Sequence, residues 1–249
     1  MIQVIYIMWL REIKRFLRSK SRIVGALGQP LLFFLSLGYG LGHVFQASGQ
    51  GNYLNFLAPG IIGMAIIFTS IFNGMQVIWD RQFGFLKETL VAPVPRLSIM
   101  IGRTLGGATV ATLQGCLVLA VVIIAGFRPD SWIMILPAIL IMCLVGLLFS
   151  ALGIMVASFL RDMQGFQLIM NFLVMPLFFL SGALFPLDNV PVALLWVARF
   201  DPLSYGIDAM RALLINTSTF GLWLDLGVLA ICTAVFLGLG SYFFSKIQI

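Results

Sequence analysis

The chain predicts an all-α polytopic membrane protein. It has an N-terminal amphipathic helix in the membrane interface, six transmembrane helices, and an external re-entrant helical segment before the last span. Three observations carry that prediction. Of 249 residues, 61% are hydrophobic and 10% charged, with a mean hydropathy of +1.06, whereas soluble domains carry about 25% charged residues. The apolar residues fall in long unbroken runs near the ~20 residues that cross a ~30 Å hydrocarbon core, where a membrane barrel would show short alternating segments. Between the runs lie short polar islands. Six spans and their links leave no room for a soluble catalytic domain, so 1–249 reads as a single transmembrane domain.

The first element is residues 1–22. At about 100° per residue, Ile2, Ile5, Trp9, Ile13 and Phe16 gather on one side, and Arg11, Lys14, Arg15, Arg18 and Arg22 on the other. Lys20 is the exception, on the apolar side. Such a helix lies in the interface with its basic face toward anionic headgroups. A signal peptide would have a shorter charged region and a small-residue cleavage site, which does not follow here.

Six spans follow, at about 23–45, 57–79, 100–126, 132–158, 166–184 and 222–245. Basic residues orient them. With the N-terminus in the cytoplasm, Arg11, Lys14, Arg15, Arg18, Lys20, Arg22, Arg81, Lys87, Arg96, Arg103, Arg161 and Lys246 lie inside. Arg128, Arg199 and Arg211 lie outside. The excess places both termini in the cytoplasm by the positive-inside rule. These cations sit at membrane edges, so the net charge of +6 does not indicate nucleic acid.

The cytoplasmic island between the second and third spans, 83–96, is charged and ends in a Pro-Val-Pro break. Phe83, Leu86 and Leu90 recur at helical spacing, so the island can form a short helix with one apolar face. The link 185–221 is too long for a turn and too apolar to float free. Asp201 before Pro202 reads as an N-cap with proline at the first helical position. Two short helices dipping into the outer leaflet are expected there, packed in protein or lining a cavity.

No catalytic constellation is visible. His43 ends the first span with no second His or Cys near it in sequence, and no metal site is expected. Cys116, Cys143 and Cys232 fall inside apolar runs and read as small core residues. No phosphate loop of the G-x-x-x-x-G-K-[S/T] type exists, so any ATP is used on a separate chain. Leu180-Ser181-Gly182-Ala183-Leu184 superficially looks like a cassette signature, but it lies in a span heading outward. Asp225 sits near the start of the last span and the other acids in links, so a mid-span proton relay is not supported. Gly102 and Gly106 have the small-xxx-small spacing of close helix packing. Among span polar residues, Asn73, Gln76, Gln114, Gln167 and Asn171 either bond between helices or line a pathway.

These residues resemble the permease subunit of a type-2 ABC transporter, in the exporter group of drug, lipid, nodulation-factor and polysaccharide permeases. Three stretches carry the resemblance across nearly the whole chain. The basic helix 1–22, around Trp9-Leu10-Arg11-Glu12-Ile13-Lys14-Arg15, is similar to the family's connecting helix. Leu86-Lys87-Glu88-Thr89-Leu90-Val91-Ala92-Pro93-Val94-Pro95-Arg96 is similar to its coupling helix. The stretch Leu180–Leu187, with Pro186, then Pro191, Trp196, Asp201-Pro202-Leu203-Ser204-Tyr205 and Arg211, is similar to its external re-entrant segment. Asp201 stands where the family more often has Asn, and both can cap a helix.

The resemblance implies two permeases, identical or closely related, paired with two cytoplasmic ATPases that hold ATP and Mg. The chain itself would bind no cofactor and sit in a bacterial or archaeal inner membrane. Glu88 and Arg96, with Lys87 beside them, would meet the ATPase, while Phe83, Leu86 and Leu90 pack into its cleft. Trp9, Arg11, Glu12, Lys14 and Arg15 would flank them. With 22 Phe against 5 Trp and 5 Tyr, the expected cargo is amphipathic or lipid-like (a drug, lipid or glycolipid) and is exported. The alternatives are a polysaccharide exporter permease of the same family and an ATP-independent secondary transporter. The latter would show intramembrane acids or an inverted repeat. A non-transporting membrane scaffold is a third reading.

Overall fold

The amphipathic segment folds as one helix and the beginning of another. A computed structural model describes residues 1–47, 51–85, 94–160, 162–187 and 190–246, with the backbone alone at Arg22 and Gln46. Helix α1 spans Ile2–Arg18 and stops at Ser19, whose φ of −99° and ψ of 72° leave the helical region. Helix α2 then runs Lys20–Ala47. The expected single helix over 1–22 is therefore corrected at its end. Lys20 fell on the wrong side of the wheel because it belongs to the next helix.

Then come α3 (Tyr53–Gln82), α4 (Arg96–Ile124), a 3₁₀ turn (Trp132–Met134), α5 (Ile135–Phe159) and α6 (Met163–Leu180). Two short helices follow, α7 (Val192–Phe200) and α8 (Pro202–Ile215), before α9 (Leu222–Ser245). Among the described residues, six helices are long and apolar enough to cross a membrane. The class is that of an all-helical polytopic membrane protein, as the composition predicts. Helices α3, α4 and α5 form the centre: 72% of the α3 apolar window is buried, against 17% in α2 and α9.

Local chemistry sets the helix ends. Asn52 starts α3 by accepting from the Leu54 N–H, so this span begins before position 57. At its other end α3 continues to Gln82, which places Asp80 inside the helix rather than in a link. Arginines neutralise the carboxylate there, which is why it can be buried within the bundle. Helix α4 starts directly after Pro95, where the missing N–H costs nothing. Helix α6 stops at Leu180, short of position 184, with Gly182 at a φ of +74°. Residues 181–184 form a turn and lie outside the span, and only glycine adopts that φ without strain.

Helix α8 begins as the sequence predicts. Asp201 accepts from the Leu203 N–H, and Pro202 occupies the first turn. It ends at Asn216 in the left-handed region, φ 49°.

Candidate functional site

Helix α1 docks in a groove on α4 that glycine makes. A Cβ at Gly102 would stand 2.8 Å from the Ile5 carbonyl oxygen and 2.7 Å from the Met8 Cβ; at Gly106 it would stand 2.7 Å from the Glu12 Cβ. The small-xxx-small pair thus admits the N-terminal helix. Docking divides α1 into three sectors. Glu12 and Phe16 are buried against the bundle. Ile2, Tyr6 and Leu17 leave an exposed apolar strip, and Lys14 and Arg18 an exposed basic edge. Trp9 Nε1 donates to Thr109 Oγ1 at 3.0 Å, tying the two helices further along.

Charges from three helices meet at this junction. Asn73, Gln76 and Asp80 recur at i, i+3 and i+7, forming one face of α3, and all three are buried. Arg11 Nη2 donates to Asp80 Oδ1 at 3.1 Å. Arg15 Nη2 lies 3.9 Å from the same oxygen, and Arg15 Nη1 donates to Gln76 Oε1. Arg103, from α4, donates to the other carboxylate oxygen, Oδ2. Glu12 adds a second acid, 4.0 Å from Arg15 Nη1. Breaking one side of a buried pair strands a charge at a cost of roughly 3–5 kcal/mol. The cluster therefore clamps α1, α3 and α4 into one unit.

Two more arginines tie helix ends at the same end of the bundle. Arg81 Nη1 donates to the Leu160 carbonyl oxygen at 3.1 Å, just beyond α5. Arg96 Nη1 donates to the Ser245 carbonyl oxygen of α9 at 2.7 Å. The last carbonyls of a helix lack intrahelical donors and carry partial negative charge, so a guanidinium fits both needs.

The island's residues divide here. Phe83 and Phe85 are exposed after α3, and Phe83 stacks on Trp79 at 5.3 Å between centroids. Leu86, Lys87, Glu88 and Leu90 lie outside the described residues.

At the far end, the segment beyond α6 is stitched to α3. Arg211 is buried on α8. It donates to the carbonyl oxygens of Gly182 (2.8 Å), Ala183 (3.3 Å) and Phe56 (3.4 Å), and its guanidinium lies 3.8 Å over the Phe56 ring. Tyr53 Oη donates to the Leu184 carbonyl oxygen at 2.9 Å. Tyr205 Oη donates to the Arg199 carbonyl oxygen at 2.8 Å. Pro191 caps α7. Trp196 stays exposed beneath the Arg199 guanidinium. Pro186 lines a hollow at this end of the bundle. Burial raises the Asp201 carboxyl to about 8, against the weaker lowering effect of its Leu203 hydrogen bond.

The five span polar residues do not form one site within the chain. Asn73 faces α4 at Gly107, and Gln76 holds Arg15. Gln114 is fully buried and neither of its amide atoms finds a hydrogen-bond partner among the described residues. Gln167 and Asn171 are exposed on α6 beside Leu168 and Phe172. Asp80 and Arg103, which hold the clamp together, were not among the residues singled out by sequence. The signal was present, because Asp80 continues the Asn73–Gln76 spacing and Arg103 lies between the two docking glycines.

An all-helical bundle with six candidate spans and an arginine-clamped N-terminal helix defines a polytopic membrane protein. The chain belongs to the ABC-2 type transporter family, whose model matches residues 3–215. It is 29% identical to Nodulation protein J of Rhizobium leguminosarum bv. trifolii over 228 residues, covering 91% of this chain and 84% of that protein. It is 27% identical to the inner membrane transport permease YadH of Escherichia coli (strain K12) over 231 residues, covering 92% and 89%. It is 25% identical to Nodulation protein J of Bradyrhizobium diazoefficiens over 215 residues, covering 85% and 80%. The family is one of membrane transport subunits, and this chain is a multi-pass membrane protein.

Proposed function

We propose that the chain is the transmembrane subunit of an ATP-driven exporter for an amphipathic or lipid-like molecule, with ATP and Mg bound on separate ATPase subunits. The observation that carries this reading is the clamp of Arg11, Arg15 and Arg103 on Asp80. It joins the basic helix to α3 two residues before that helix ends and the chain runs into 83–96. A push on the segment 83–96 therefore reaches α1, α3 and α4 together. Both termini and the clamp lie in the cytoplasm in this reading, and a second copy or a close relative completes the pathway. The exposed α6 stripe of Gln167 and Asn171, with Leu168 and Phe172, is the face assigned to that pathway. The hydrogen-bonded segment around Arg211 closes it at the external side.

In this mechanism Glu88 and Arg96 meet the ATPase, and Phe83, Leu86 and Leu90 fill its cleft. ATP binding draws two ATPases together, and the rigid unit converts that motion into a rearrangement of the spans, a bistable element biased by ligand. The test is co-purification with a cognate ABC ATPase. Glu88→Arg should lose the ATPase while the permease still inserts in the membrane. Pull-down unchanged by Glu88→Arg would overturn the coupling role. Transport that persists when the ATPase cannot hydrolyse ATP would overturn the exporter.

A further inference from the structure

Three guanidiniums face two carboxylates at the α1–α3–α4 junction, and the excess positive charge is the accessible part. Arg103 is enclosed against Asp80. Arg11 and Arg15, which share the other Asp80 oxygen, have side chains 33% and 35% exposed. Both line a cavity of about 670 Å³, with Asp80 and Gln76 beside them and Phe72, Trp79, Phe83 and Phe85 as its aromatic wall. A second hollow shares the two arginines and adds Lys14, Arg18 and Lys20. An aromatic wall under a cationic rim, at the end of a membrane-spanning helix, suits an amphiphile with an anionic head. Long basic side chains and Trp at that depth are what the membrane interface favours. A zwitterionic head would leave the excess charge uncompensated, and a free anion would leave the aromatic wall against water.

We propose that this cavity holds an anionic phospholipid, of net negative head group, from the leaflet at the α1 end, with Arg11 and Arg15 on the phosphate and Phe72, Trp79 and Phe85 along the upper acyl chain. The assignment rests on the transport reading only in naming that leaflet cytoplasmic. It needs neither ATPase nor cargo, so the two can fail separately.

Trp79 reports on it. The full chain is reconstituted in phosphatidylcholine vesicles with a fixed fraction of phosphatidylglycerol or phosphatidylcholine brominated high on the acyl chain. The Trp79 signal is the difference between the wild type and Trp79→Phe. Brominated phosphatidylglycerol should quench Trp79 roughly fivefold more effectively, the scale of one cation near an anionic lipid surface. Arg15→Gln should lose that preference and Arg15→Lys keep it. Equal quenching by the two lipids, or a preference that survives Arg15→Gln, would overturn the site. A preference abolished by millimolar inorganic phosphate would assign the arginines to a free anion and overturn the lipid. Where Arg15→Gln fails to fold, the wild-type comparison and the phosphate competition still decide.

Discussion

Asp80 and Arg103 are each other's enclosed counter-charge, on two different helices and with side chains only 5% and 3% exposed. Asp80→Ala removes the carboxylate that Arg103 is paired with. We expect a loss of roughly 3–5 kcal/mol, read as a lowered unfolding temperature in detergent. Arg11→Ala, removing a partner one-third exposed to solvent, should cost much less, near the ~0–1 kcal/mol of surface pairs. Equal losses in the two variants would show that the buried pair is not the anchor.

The glycine groove makes a second prediction. Gly106→Ala puts a methyl group against the Glu12 Cβ and Cγ, at 2.7 and 2.8 Å. That overpacking should cost about 1–3 kcal/mol and lift α1 off α4. The Trp9 bond to Thr109 should be lost, and Trp9 emission should shift to longer wavelength. Gly25→Ala, with nothing within 4 Å, is the control and should be neutral or slightly stabilising.

Asp201 predicts a pH dependence. Burial raises its carboxyl to about 8 in the folded chain, from about 3.9 when unfolded. The folded state therefore holds the proton more tightly. Its stabilising contribution is complete below pH 4 and is lost as pH rises toward and through 8. Asp201→Asn retains a cap acceptor for Leu203 and carries no charge. It should flatten the dependence between pH 5 and 9 and be the more stable protein at the upper end, as read by thermal unfolding across pH. Asp201→Ala should lose the cap, about 1 kcal/mol, at every pH.

Arg211 is irreplaceable by lysine. Three carbonyl oxygens and the Phe56 ring use its planar fork, and an ammonium cannot meet them together. Arg211→Lys should loosen residues 182–187, seen as faster proteolysis or hydrogen exchange there, while α1 protection is unchanged. Equal protection at 182–187 in both proteins would refute that role.

Much of this architecture was legible in the sequence. The span count, the Asp201–Pro202 start of α8 and the Gly102–Gly106 groove follow from hydropathy, capping and residue size, which are local properties. What was not legible depended on distant partners. Asp80 looks like the start of a polar link until arginines 23 and 69 positions away neutralise it. Glu12 falls on the buried face of α1 because the helix docks on protein, so a wheel drawn for a lipid surface separates charge and grease too cleanly. Arg211 reads as an external cation because the carbonyls it satisfies come from Phe56 and the turn at 182–183, and turn geometry is silent in hydropathy.

The break at Ser19 sets the gearing of the molecule. On one side of that residue, α1 is bolted to α3 and α4 by ion pairs and a glycine seat. On the other, α2 leaves with little of its surface buried. A single non-helical residue transmits position but very little torque, so Ser19 acts as a universal joint. A load on α1 would reach α3 and α4 directly, and α2 only through its own seat on α3 and the end of α4, where Phe34 is buried and Tyr39 Oη donates to the Ala125 carbonyl oxygen. Inserting two alanines at Ser19 to fuse the helices would weld that joint.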